Sequence, residues 1–295
     1  MKKSSLAAII GGIVLALGIA GAGAYLIFNH DAMQNLSANT NNDINNTTSD
    51  STNTNSAISS TTSSKSKITS GGIYTFSGTL KDKISVDTTE AVTLILDNVS
   101  ITSSDGAAIK CQENSNVTIQ IVGSNTIISN SENDGINSEG DLTITGDGSL
   151  NIDAEDDAIH ADGKLIIENG TITVNAHEGL EATYIIINSG TIKIIATDDG
   201  INAGNKSDKY SVRIEINGGD ITVDMGQGDT DAIDSNGDLI INGGKISITA
   251  QSPFDWDGTG QLNGGTVIVN GEKVTELTNQ FGGDMMGGSM MSPRR

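Results

Sequence analysis

The chain has 295 residues, only 3% of them aromatic and 36 of them glycine, with a formal net charge of −21 and an isoelectric point near 4.2. This balance excludes a core built on large rings and makes nucleic acid and anionic membrane surfaces poor partners. Hard cations are suitable partners, because carboxylate oxygens are their preferred ligands. The single cysteine, Cys111, allows no intrachain disulfide and reads as a small buried hydrophobe.

At the N-terminus, Lys2 and Lys3 precede an uncharged apolar run from Leu6 to Phe28. A run of that length spans a bilayer, and the flanking lysines hold its start inside and send the rest outward. Residues 1–28 are therefore a membrane anchor or a signal peptide, the latter because Ala20-Gly21-Ala22 offers a small-residue cleavage site. Either way the body is expected to be extracellular, tethered at the cell surface where the apolar segment is kept. Residues 29–70 are dominated by Asn, Ser and Thr. They cannot bury enough apolar surface to offset their ordering entropy and are expected as a disordered spacer. Structure is expected over 71–276, with strands at Val92–Leu96 and Ile119–Val122. Residues 277–295, rich in Gly and Met and ending on two arginines, read as a flexible tail.

Within 71–276 the chain repeats itself. Residues 133–155 read NDGINSEGDLTITGDGSLNIDAE, 156–176 read DDAIHADGKLIIENGTITVNA, and 177–197 read HEGLEATYIIINSGTIKIIAT. A longer unit opens DDGINAG at 198, after which 230–250 read TDAIDSNGDLIINGGKISITA and 251–271 read QSPFDWDGTGQLNGGTVIVNG. A fixed period of this size marks a solenoid. Each unit holds short β-branched strands separated by Asn-Gly turns and no helical periodicity. The expected fold is all-β: a single-stranded right-handed parallel β-helix in which like strands of successive turns pair. Residues in one column of the repeat then lie on top of each other. Two places after the recurrent Ile come Ser138, Ala161, Ala182, Ala203 and Ser235, then Trp256, which predicts a narrow inward column. Trp256, with Phe254 in the Ile column and Pro253 beside it, is read as a cap on the last rung, with a sugar-stacking platform as the alternative.

Two polar columns flank the Ile. The outer one holds Asp134, Asp156, Asp157, Glu178, Asp198, Asp199, Asp229 and Asp231. The inner one holds Asn137, His160, Glu181, Asn202, Asp234 and Asp255. Stacked rungs repeat at about 4.7–4.9 Å, so these carboxylates repel each other unless neutralised. Calcium binds oxygen at about 2.3–2.6 Å, and an ion between two rungs reaches both columns; the alternative is a solvated acidic turn whose side chains cap backbone groups. The outer column and Asp234 are the candidate calcium ligands. Asn137, His160, Glu181 and Asn202 are candidate ligand-binding residues, joined by Lys206, Lys209 and Tyr210 on the loop that lengthens the unit starting at Asp198. His160 reads as a hydrogen-bonding member of its column rather than a base.

The units D-D-A-I-H-A-D-G, D-D-G-I-N-A-G and T-D-A-I-D-S-N-G, each followed by a strand, resemble the clostridial extracellular carbohydrate-binding β-helix family, related in fold to calcium-dependent polysaccharide lyases. The resemblance implies a parallel β-helix with bound calcium that binds cellulose or acidic polymers such as polygalacturonate. The related lyases hold calcium on Asp residues of adjacent rungs, matched here by Asp134, Asp156, Asp157, Asp198, Asp199, Asp229 and Asp231. Their lysine base does not map cleanly here: Lys110, Lys193, Lys206 and Lys209 are all imperfect candidates. The leading expectation is a monomeric, calcium-dependent binder of an extracellular polysaccharide. The alternatives are a lyase acting by β-elimination and a surface adhesin or scaffold.

Overall fold

A computed structural model describes residues 66–226 and 231–279, and the backbone of three further short strands, Ile9–Ile10, Ile13–Val14 and Ser56–Ser59. The chain forms two units. In the first, Met1–Thr52, Ile9–Ile10 pairs antiparallel with Ile13–Val14. The rest of the expected membrane segment lies outside the described residues, as do most of the spacer, Asp229 and the tail from residue 280. Among the described residues no helix is long and apolar enough to cross a membrane.

The second unit, Asn53–Arg295, holds a β-solenoid of about eight turns, with mostly parallel strands and no helix among the described residues. Three sheets form its walls. In the first, Ile84–Val86, Ile109–Cys111, Ile136–Ser138, Ile201–Ala203, Asp231–Ser235 and Ser252–Trp256 stack with the starts of the longer strands Ile159–Ile167 and Leu180–Ile187. The second includes Asn116–Val122, Asp141–Thr145, Arg213–Ile216, Asp238–Ile241 and Gly260–Leu262. The third includes Ser149–Ala154, Thr171–Ala176, Thr191–Ala196, Asp220–Met225 and Lys245–Thr249.

Alternation decides what is buried. In Thr171–Ala176 the side chains of Ile172, Val174 and Ala176 point inward, and the same offset recurs in the neighbouring rungs. The recurrent column Ile109, Ile136, Ile159, Leu180, Ile201, Ile233 and Phe254 is in register and buried throughout. Beside it Cys111, Ser138, Ala161, Ala182, Ala203 and Ser235 form the narrow inward column, and Trp256 closes it, packed against the core. A Cβ on Gly260 would stand 2.4 Å from the Trp256 ring, so the indole folds under the last rung as a cap. Burial pushes the Cys111 thiol up to about 12, consistent with an inert core residue. Because the small column has no spare room, Ala182→Leu is expected to cost about 1–3 kcal/mol by overpacking. A thermal melt checks this, with Ile195→Thr, at an outward position 39% exposed, as the neutral control.

At the turn between the second and third sheets, the glycines take the left-handed region: Gly219, Gly244 and Gly265 have φ of 98°, 87° and 84°. The asparagines of these turns do different work. Asn217 donates to Asn188 at 3.0 Å, Asn242 to Asn217 at 2.8 Å and Asn263 to Asn242 at 2.9 Å, an amide ladder along the edge. The fold also starts earlier than the composition suggests. Ser66–Ile68, inside the expected spacer, pairs in parallel with Ile84–Val86 and buries Ile68. At the other end, Asn270 and Gly271 both have positive φ and turn the chain back, so that Glu272–Val274 pairs antiparallel with Thr266–Val269. That Asn-Gly hairpin covers the outer edge of Thr266–Val269, whose other edge pairs with Lys245–Thr249.

Candidate functional site

The outward column of the first sheet can be followed rung by rung: Lys67, Ser85, Lys110, Asn137, His160, Glu181, Asn202, Asp234 and Asp255 are successive register partners. It begins cationic and ends anionic. The outer column runs beside it, three residues earlier in each rung. Its carboxylates partly serve the backbone: Asp134 accepts the Asp157 N–H at 3.3 Å, and Asp199 accepts the Asp231 N–H at 3.1 Å. The capping role considered for these turns is therefore present, but it engages only one oxygen of each.

Carboxylates converge at the centre. Ligand atoms of Asp157, Glu178 and Glu181 lie within 4.8 Å of one another, as do those of Asp134, Asp157 and His160, and those of His177, Glu178 and Asp198. Asp157 and Glu181 are 7% and 4% exposed. His160 sits between them. Its Nδ1 contacts Asp157 at 2.9 Å and Glu181 closer still, and its Nε2 meets Asp162 at 3.0 Å. Burial opposes its charge, but the hydrogen bonds from Asp157, Glu181 and Asp162 win and raise the imidazole to about 11. Lys206 Nζ reaches the other oxygen of Glu181 at 2.5 Å. Against the penalty of burial, His160 and Lys206 hold Glu181 down to about 2, while burial and the Glu181 charge push Asp157 up to about 6. The centre of the ladder thus carries two built-in cations.

Glu178 shares the Glu181 rung, and Asp199 and Asp234 follow on the next two. Burial first, then the charges of Glu181, Asp157 and Asp199, push Glu178 up to about 8. Burial, with Asp198, Asp231 and Glu181, pushes Asp199 up to about 6. Burial, with Asp199, Asp255 and Asp231, pushes Asp234 up to about 7. Here carboxylates crowd one another, and of the two cations only Lys206, from beside Glu181, acts on Glu178. Asn202 donates to Glu178 at 3.0 Å, while its own Oδ1 is buried with no hydrogen-bond partner. An orphaned acceptor oxygen among carboxylates fits a hard cation, which takes six to eight oxygens at about 2.3–2.6 Å. Glu178, Asp198, Asp199, Asn202, Asp231 and Asp234, spread over three successive rungs, are the residues from which an ion between two rungs would draw its ligands.

The loop after Ala203 is pinned rather than projecting. Thr183 Oγ1 accepts the N–H groups of Lys206 and Ser207 at 3.0 and 2.9 Å and donates to the Asp162 carbonyl at 2.7 Å. Lys209 and Tyr210, expected beside the ladder, instead turn onto the second sheet, where both meet Asp141 Oδ2, at 2.7 and 2.8 Å. The Tyr210 ring packs edge-on against Tyr184 at 6.4 Å, with the Lys164 ammonium 4.6 and 5.1 Å from the two centroids. Of the loop residues named from sequence, only Lys206 joins the acidic column. Asp156 is exposed at the rim, and Asp229 lies outside the described residues. Sequence reasoning overlooked Asp162, Thr183 and the site role of Lys110. Lys110 was legible: A-A-I-K-C aligns with D-G-I-N-S, which stacks Lys110 on Asn137, and its Nζ donates to Asn137 Oδ1 at 2.6 Å.

A family model described as "Carbohydrate-binding domain-containing protein" matches residues 62–280. Among solved structures, the chain is similar to a polysaccharide lyase-like protein from C. thermocellum, determined as a gadolinium derivative. Identity is 30%, the match covers 70% of this chain and 84% of that one, and the TM-score is 0.52. No curated protein matches the chain.

Proposed function

Since this chain belongs to the family of carbohydrate-binding domain-containing proteins, we propose that it binds an extracellular polysaccharide along its first sheet, with calcium on the acidic column. The observation that carries this reading is the run of mutually repelling carboxylates Glu178, Asp199 and Asp234 on successive rungs, beside the orphaned Asn202 oxygen. A chain of charge −21 repels polyuronate. A partly coordinated divalent ion joins the two carboxylate sets. Residues 1–28 deliver the body to the outside of the cell, where calcium and plant or cell-surface polymers such as polygalacturonate or cellulose are met.

Binding without cleavage is the reading the side chains favour. β-Elimination needs a neutral base within reach of the proton α to the uronate carboxyl. Two of the nitrogen bases at the acidic columns are held protonated: His160 is raised to about 11, and Glu181 raises Lys206 against its partial burial. The polysaccharide lyase-like relative supports a shared fold and ligand class.

The expected result is retention of wild-type protein on polygalacturonate in calcium, with no rise in unsaturated-uronide absorbance. Asp199→Ala should weaken calcium binding at least tenfold, because it removes one ligand and one charge. Asp87→Ala should not, since Asp87 is paired with Lys67 at 2.7 Å, away from the cluster. Equal loss in both variants would show that general acidity attracts the ion. Accumulating unsaturated product would make the protein a lyase.

A further inference from the structure

We propose that the groove at the cationic end of the first sheet seats one carboxylated sugar residue, whose carboxylate is held directly by the ammonium groups of Lys83 and Lys110. The inference rests on the polysaccharide-binding reading above and names the ligand group and where it docks.

The groove has a volume of about 400 Å³ and is lined by Lys83, Gly106, Lys110, Asn133, Asp134 and Asn137, among others. That volume is within the usual range for small-ligand sites, about 300–1,000 Å³. Its two lysines stand on adjacent rungs, since Ile84–Val86 and Ile109–Cys111 are register partners. Both are pre-positioned. Lys110 Nζ donates to Asn137 Oδ1 at 2.6 Å and pairs with Glu139 at 2.7 Å. Lys83 Nζ donates to the Asp105 carbonyl at 2.6 Å, with the Asp105 carboxylate farther away at 3.9 Å. An ammonium has three donors, so each lysine keeps capacity for a further acceptor. The side chains are 26% and 29% exposed, with packed stems and heads that reach the groove. Gly106 leaves the Lys83 head its room: a Cβ there would stand 3.1 Å from Nζ.

The lining also carries Glu132, Asp134 and Asp156, which repel a carboxylate. A uronate entering the groove is therefore oriented, carboxylate toward the lysines and hydroxyls toward the acids and the Asn133 amide. Carboxylates accept charge-assisted hydrogen bonds about twice as strong as neutral ones. A neutral sugar would leave both ammonium groups without that gain. Along the first sheet the direct contacts at Lys83 and Lys110 come first, and the carboxylates suited to a bridging ion follow several rungs later. An acidic polymer lying along the sheet is thus read by two different devices, only one of which needs metal.

The test compares binding of polygalacturonate and of the same polymer fully methyl-esterified, each in calcium and in chelator, by affinity electrophoresis. Lys83→Gln and Lys110→Gln are each expected to weaken binding of the acidic polymer about tenfold in both conditions, the loss of one charged hydrogen bond. Binding of the esterified polymer and behaviour of the exposed control Lys273→Gln should not change. Thermal melts verify that the variants stay folded, as expected for partly exposed lysines. Wild-type binding of the acidic polymer that both variants match would overturn the inference and leave the polysaccharide reading standing. Equal losses on the esterified polymer would mean the lysines only shape the groove, and would also overturn it. No binding of either polymer by the wild type would bring down both.

Discussion

Removing divalent ions lowers the melting temperature by about 5–10 °C at low ionic strength, and the loss deepens as the pH rises from about 5 to 8. The size follows from mass action: a ligand at a hundred times its Kd stabilises by about 2.7 kcal/mol, and each kcal/mol shifts a domain of this size by about 2–4 °C. The pH sign follows from the carboxylates. In the metal-free protein Asp157 and Asp199 are raised to about 6, Asp234 to about 7 and Glu178 to about 8. A carboxyl raised in the folded state binds its proton more tightly there than in the unfolded chain. Its favourable contribution is complete below the unfolded value, near 4, and is lost as the pH climbs through the folded one. His160, raised to about 11, adds stability below its unfolded value of 6.5 that also declines above it. Glu181, held at about 2, contributes fully throughout this range. Every cited group that titrates above pH 5 therefore destabilises the bare chain in the same direction. Calcium opposes this, because the ion binds the deprotonated oxygens. Melts at pH 5, 6.5 and 8, with chelator and with calcium, check it. Coincident curves, with no calcium found by elemental analysis, would sink the metal reading.

His160→Ala is expected to destabilise the metal-free protein by about 3–5 kcal/mol, the cost of leaving a buried charge without its partner. Asp157 and Glu181 are both nearly inaccessible and share the imidazole, and its loss leaves two carboxylates facing each other. Lys206 still neutralises one oxygen of Glu181, so the defect concentrates on Asp157. Acidification to about pH 5 should recover much of the loss by protonating that pair, and calcium should recover part of it at pH 8. His177→Ala, at an exposed position, should change stability by less than about 0.5 kcal/mol. A variant as stable as wild type at pH 8 in chelator would mean that His160 is not the cation holding the centre together.

The loop after Ala203 illustrates where reading by columns reaches its limit. A column argument orders residues along one axis. It correctly stacked Ile136 on Ile159, Ala161 on Ala182 and Asn137 on His160. It also contained Lys110, whose neighbours align with the later repeats although its rung lies before the regular ones. It carried no information about how a side chain in one column leans toward another. The contact between Lys206 and Glu181 is such a lean, whereas the amide ladder of Asn188, Asn217 and Asn242 stays within one column.

The period and its alternation suffice for the architecture. A repeat of nearly constant length without helical patterning has one economical way to bury its Ile and Val, and that way stacks like residues a strand spacing apart. The acidic columns follow from the same register, because backbone pairing sets it before any side chain chooses a partner. Which carboxylates are already neutralised is a different matter. That depends on Thr183 gripping the loop backbone 23 residues later, and on Lys209 reaching Asp141 across a separation of 68 residues. Once those contacts fold the loop down, Lys206 lands on Glu181, and Asp199 and Asp234 are left to repel one another on the rungs beyond. Local periodicity cannot encode this, because charge neutralisation depends on distance in space between groups that no repeat keeps in step.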